Sequence, residues 1–251
     1  MSTQPPLGPP PGPLFGVPGS GQPPPRRPWW LRPPALIGAA AAVVAIVVGL
    51  VILLGGGEPA HERVETAAQA RDLAGRVALK PADWGSGYVR STPYETGDVT
   101  ESFADASCYL AVQTPVKMLA ALERNAQSPD RRVVNTSTVI VHRDTASAAA
   151  GIARFRTDAR RCRTEYDSAS KQKWVDVRAV DVPGLKGFDE VAGEEGHQVV
   201  DETGLKLDQY YTQLTGRKGQ VLMQATVARS GGQGRNREEA VHALTLMLSR
   251  L

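Results

Sequence analysis

The chain has 251 residues, and its charge is split unevenly along its length: the only charges before residue 58 are Arg26, Arg27 and Arg32. Removing those three from the 29 basic residues leaves 26 against 26 acidic residues, so everything from Glu58 onward is about neutral. A neutral domain excludes a general nucleic-acid binder, which needs a net cationic surface to displace counterions.

Residues 1–34 hold thirteen of the nineteen prolines and are rich in glycine. Proline lacks a donor and glycine raises the entropy of ordering, so this segment is expected to be a disordered cytoplasmic tail with polyproline II character. Its spacing around Pro10-Pro11-Gly12-Pro13 loosely suits an aromatic groove on a protein partner, although a solvated spacer explains it better. Residues 35–54, from Ala35 to Leu54, are twenty positions without a charge. As a helix they would run about 30 Å, the thickness of a bilayer's hydrocarbon core, so a single membrane span is expected. Arginines precede this run and Glu58, Glu62 and Glu65 follow it, which orients the N-terminus to the cytoplasm and the C-terminal domain outside the cell membrane.

Residues 55–61 read as a hinge, and 62–251 as one extracytoplasmic domain. Glu58 to Lys80 is helical in pattern, with Ala70, Leu73, Ala74 and Val77 on one face and Pro81 ending it. Trp84 to Val89 is a glycine-bracketed turn entering a strand. Cys108 to Val112 is a short apolar run, and Thr114-Pro115 reads as a cap opening a helix to about Asn125. Arg132 to His142 is β-rich. Asp144-Thr145 then caps the clearest helix, whose apolar stripe is Ala149, Ile152, Phe155, Ala159, Cys162 and Tyr166. Trp174–Val182, Leu205–Leu214 and Val221–Ala228 read as strands, the last two joined by a hairpin loop over Thr215–Gly219. A helix from about Asn236 to Leu251 closes the chain, with Val241, Leu244, Leu248 and Leu251 inward. The class is α+β: a mainly antiparallel sheet with helices packed on one side.

Cys108 and Cys162 are the only cysteines. In an oxidising compartment two such thiols pair, and no C-x-x-C spacing or neighbouring histidine marks them as reactive. The four histidines lack ligand spacing, so no metal site or cofactor is indicated. Asp189, Glu190, Glu194 and Glu195 fall in what reads as a glycine-containing loop, which suits cation binding or acid–base work and equally a solvated loop, and Trp84, Asp189 and Glu190 are the candidates for a cleft. Arg154, Arg156, Arg160, Arg161 and Arg163 crowd one helix, where they could meet lipid phosphates or an anionic wall polymer.

Three passages carry a resemblance: Leu79-Lys80-Pro81-Ala82-Asp83-Trp84-Gly85; Ser137-Thr138-Val139-Ile140-Val141 through Ala159-Arg160-Arg161-Cys162; and Val182-Pro183-Gly184-Leu185-Lys186-Gly187-Phe188-Asp189-Glu190-Val191. With the proline-rich tail and single span, they resemble the actinobacterial PknH-like extracellular sensor-domain family over about residues 65–250. That resemblance implies an α+β domain with a cleft. The chain departs from the kinase-linked members in lacking a kinase and in having one cysteine pair where they have two disulfides. The expected role is a membrane-anchored binding domain, not an enzyme, for a small molecule, lipid or cell-wall fragment. The alternative is an envelope scaffold whose tail recruits a cytoplasmic partner.

Overall fold

The computed structural model describes residues 63–167, 170–202 and 205–251. The expected tail (1–34), span (35–54) and hinge (55–61) lie outside these residues. Among the described residues no helix is long and apolar enough to cross a membrane.

The first helix, α1 (Ala67–Val77), buries Ala70, Leu73, Ala74 and Val77, the face its spacing marks out. It starts later than the sequence pattern suggests because Thr66 and Gln69 close a capping box: the Thr66 hydroxyl accepts from the Gln69 amide at 3.2 Å, and Gln69 Oε1 accepts from the Thr66 amide at 3.1 Å. A single 3₁₀ turn, Pro81–Trp84, follows. The strands are β1 (Val89–Thr96), β2 (Glu101–Ala104), β3 (Leu110–Gln113), β4 (Met118–Gln127), β5 (Val133–His142), β6 (Thr164–Asp167), β7 (Gln172–Ala179), β8 (Glu190–Glu202), β9 (Leu205–Lys218) and β10 (Val221–Ser230). Helix α2 (Thr145–Arg161) lies between β5 and β6, and α3 (Asn236–Ser249) ends the fold. Eight strands form one sheet in the order β1-β4-β5-β10-β9-β8-β7-β6, every pair antiparallel, while β2 and β3 form a separate hairpin.

The α+β class and the antiparallel sheet stand, but the helices occupy both faces. In β5 and β10, Val139, Val141, Val221, Met223, Ala225 and Val227 join the core made with α1 and α3. Ile140 and Leu222 point the other way, into a smaller core with Ala148 and Ile152 of α2. Only Arg143 and Asp144 separate β5 from α2, and the Asp144 carboxylate caps the helix by accepting the Ser147 amide at 2.7 Å. The amphipathic α2 therefore drops onto the sheet face that Ile140 and Leu222 leave apolar.

Two further expectations are corrected. Met118–Gln127 is a strand, not a helix. Its leucines and alanines favour a helix in isolation, but it sits between β1 and β5 and pairs with β5 along its length. Leu122 and Ala120 serve the larger core while Ala121 serves the smaller one, so both faces are apolar and the period of two is hidden. Glu190–Glu202 is likewise a strand, with Glu194 and Glu195 buried rather than in a solvated loop. Its glycines accommodate neighbours: a Cβ at Gly193 would lie 2.7 Å from Leu214 Cδ2. The β9–β10 connection is also tighter than expected, because Lys218 already pairs with Val221 and only Gly219 and Gln220 turn the chain.

Candidate functional site

Beyond Ile140 and Leu222, the face of the sheet under α2 becomes polar. Cross-strand registry lines up Thr215, Gln224, Thr138 and Glu123 in one row, and Glu194, Gln213, Thr226 and Thr136 in the next. The opposite face of the same strands is apolar core, so the strands alternate in the way a half-solvated antiparallel sheet does. This polar face is not left open. Helix α2 and the β2–β3 hairpin stand over it and enclose a groove of about 380 Å³, whose walls include Phe103, Phe155 and Trp174. That volume lies within the range of about 300–1,000 Å³ usual for small-molecule sites.

The hairpin is fastened to the end of α2. Asp158 Oδ2 accepts the Ala104 amide at 3.1 Å, and the Arg161 guanidinium donates to the Ala104 and Asp105 carbonyls at 2.9 and 2.7 Å. The Cys108–Cys162 disulfide is formed beside this clamp, joining the hairpin loop to the residue that ends α2. The sequence-level pairing of these cysteines therefore holds, and it fixes one wall of the groove.

Two buried glutamates shape the groove's electrostatics. Glu194 is 8 % exposed and accepts a hydrogen bond from the Tyr211 hydroxyl at 2.9 Å. Burial, then the nearby Glu165 carboxylate, pushes its pKa up to about 8, against which the Tyr211 hydrogen bond acts. The tyrosine reaches it because its cross-strand partner is Gly196, where a Cβ would sit 2.9 Å from the Tyr211 ring. Glu165, 6 % exposed, is pushed up to about 7 by burial and by Asp158, with Arg161 opposing. Glu101 on the hairpin is also raised by burial, with Arg154 opposing.

Of the residues singled out from sequence, Glu194 lines the groove and the others fall elsewhere. Trp84 packs against the α1/α3 core, and the neighbouring Asp83 accepts both guanidinium nitrogens of Arg250 at 2.7 and 2.9 Å, which lowers the Asp83 pKa. Asp189 and Glu190 are ion-paired with Arg217 at 3.0 Å each, and Asp189 also accepts the Gly219 amide at 2.7 Å. All three are outside the groove lining, and their contacts fasten strand and helix ends together. Of the arginines, Arg156 donates to Glu190, Arg161 holds the hairpin, and Arg154 lies over the Phe103 ring at 4.2 Å. Only Arg160 and Arg163 of the five are exposed without such a contact among the described residues. Glu195, drawn in with Asp189 by the sequence, is instead a buried clamp held by Arg178 and Arg237. Glu101, Glu165, Tyr211 and the Thr/Gln rows were not marked out. An alternating polar set on strands whose other face is apolar was the available signal, and the missed strands β4 and β8 hid it.

A second hollow, of about 780 Å³, is lined by Arg63, Arg76 and Lys218 together with Asp72 and Asp144. It lies at the start of the described chain and has charges of both signs, whereas the groove is enclosed by regular elements. The groove is the better-built site.

No family model matches the sequence, and no curated protein matches it. Among solved structures, the domain is similar to the crystal structure of the extracellular domain of PknH from Mycobacterium tuberculosis, with a TM-score of 0.49 and 10 % identity over 75 % of this chain and 99 % of that one.

Proposed function

We propose that this is a sensor-like binding domain, displayed outside the cytoplasm on a single membrane span, which captures a small polar ligand in the groove beneath α2. The observation that carries the reading is a polar sheet face, lined with threonine and glutamine, held under a helix and a hairpin instead of being left to solvent. Hydroxyl and amide groups at strand spacing can exchange hydrogen bonds with a hydroxyl- or amide-bearing molecule. They would be left unsatisfied by a lipid chain. Of the ligand classes open to the sequence, a polar metabolite or wall fragment is therefore favoured over an acyl chain. Binding, not catalysis, is the role proposed.

The test uses the full-length protein in detergent, incubated with fractionated envelope extract and examined for a retained small molecule by mass spectrometry. Thr226→Trp, which fills the groove floor, is expected to abolish retention while the circular dichroism spectrum is unchanged. Retention that survives Thr226→Trp, or no retention by the native protein, rejects the reading. The placement outside the cytoplasm has its own check: a phosphatase fused after Leu251 is expected to be active, and a fluorescent reporter that matures only in cytosol is expected to stay dark.

A further inference from the structure

The groove lining is one-sided in charge. Glu101, Glu123, Asp158, Glu165, Asp167 and Glu194 all contribute to it, and among the described residues no lysine, arginine or histidine does. This imbalance lies within a domain whose overall charge is about zero. An anionic ligand would meet the Glu101, Glu123, Glu165 and Glu194 carboxylates with no described basic side chain in the lining beside them. The carboxylates are also distributed around the groove: among the described residues no group of three or more His, Cys, Asp or Glu side chains is placed to hold a metal ion.

Their hydrogen bonding differs in a way that points to a ligand. Asp158 is occupied by the Ala104 amide and Arg161, Glu194 by Tyr211, and Glu123 by the Asn125 side-chain amide at 3.0 Å. Glu165 is more than nine-tenths buried, lines the groove, and accepts no hydrogen bond and forms no ion pair within 4 Å among the described residues. A carboxylate with so little access to solvent and no protein donor is stabilised by a ligand that supplies one. Trp174 is its cross-strand partner on β7 and joins it in the lining, an aromatic face of the kind that attracts a cation.

We infer that the groove takes a ligand bearing an aliphatic ammonium group, which Glu165 receives with Glu194 as a further acceptor, while the Thr/Gln floor binds the ligand's neutral polar groups. This rests on the groove being a binding site. The ammonium offers three donors and one positive charge, which satisfies Glu165 and relieves the like-charge crowding. The charged or titratable groups in contact or Coulombic reach are Asp158 and Arg161 from α2, Glu194 from β8 and Tyr211 from β9, with Arg154 beside Glu101. A cation binds the deprotonated carboxylates, so affinity for an amine that stays protonated throughout, such as cadaverine, is expected to rise with pH between about 6.5 and 8.5.

The test is titration calorimetry on the full-length protein in detergent with matched probes: cadaverine against 1,5-pentanediol, and glucosamine against N-acetylglucosamine. The amines are expected to bind and their neutral counterparts not. Glu165→Gln, which keeps shape and removes charge, is expected to weaken amine binding about tenfold, as for the loss of a hydrogen bond to a charged group. Glu194→Gln is expected to weaken it several-fold, and the exposed Glu238→Gln to leave it unchanged. Equal binding of charged and neutral probes, insensitivity to both groove substitutions, or binding of calcium chloride in place of the amines overturns the assignment. If no amine binds while a Thr226→Trp-sensitive extract component is retained, the ammonium assignment falls and the groove's binding role stands. If nothing is retained either, both fall.

Discussion

Replacing Cys108 and Cys162 together by alanine is expected to lower the domain's melting temperature by about 10 °C. The bond spans 54 residues of sequence, and closing a loop of that size stabilises the folded state by about 4 kcal/mol in the chain-entropy model. For a domain of this size each kcal/mol corresponds to about 2–4 °C. The loss is expected to be concentrated locally. The disulfide joins the β2–β3 loop to the end of α2, so amide exchange over Glu101–Gln113 should accelerate before the central strands respond. The hairpin should not detach, because Arg161 still donates to the Ala104 and Asp105 carbonyls and Asp158 still accepts the Ala104 amide. A double variant that melts within about 2 °C of the native protein, by calorimetry in non-reducing buffer, would contradict this account.

Raising the pH from 7 to 9 is expected to destabilise the native protein, and Glu194→Gln should remove most of that sensitivity. In the unfolded chain both Glu165 and Glu194 lose their protons near pH 4.5; in the folded domain they keep them to about 7 and about 8. Between those values the folded state binds more protons, so each step up in pH favours unfolding. The stability these groups contribute is complete below about pH 4.5 and is lost as pH passes through 7 and 8. His142 works in the other direction, because burial lowers its pKa and its contribution is lost as pH falls below 6.5. Above pH 7 it is neutral in both states, which leaves the glutamates to dominate the window. A fall of about 4 °C in melting temperature over that interval is the expected size. Glu194→Gln keeps an acceptor for the Tyr211 hydroxyl while removing the titrating charge. A native protein whose melting temperature is flat from pH 7 to 9, or a variant with an undiminished slope, would show that the burial of these carboxylates is not felt.

The elements legible in the sequence were those whose local pattern and tertiary environment agree. The α1 stripe of Ala70, Leu73, Ala74 and Val77 is buried as its spacing demands, and Asp144 caps α2 as an aspartate before a helical stripe should. Strands β5 and β10 announced themselves through β-branched residues. The Cys108–Cys162 pairing followed from there being no other cysteine. The illegible elements were those whose composition pulls against their environment. Met118–Gln127 carries helix formers, yet two strand neighbours impose the extended form. Glu190–Glu202 carries acids and glycines that suit a loop, yet Gly193 and Gly196 are the small positions over which Leu214 and Tyr211 pack.

The candidate site shows the same division. By itself the sequence determined that a neutral, well-patterned α+β domain follows a proline-rich and then an apolar segment, and that its two cysteines have only each other. Those properties depend on residue types and on spacings within about twenty positions, which a linear reading captures. Which carboxylates share a cavity was decided only by the tertiary structure: Glu101, Asp158, Glu165 and Glu194 sit on four different elements and meet through the sheet order and the crossing of α2 to the second face. Strand registry, not sequence distance, sets which side chains are neighbours, and a buried charge acquires its altered proton affinity only from the neighbours and the solvent exclusion that registry creates.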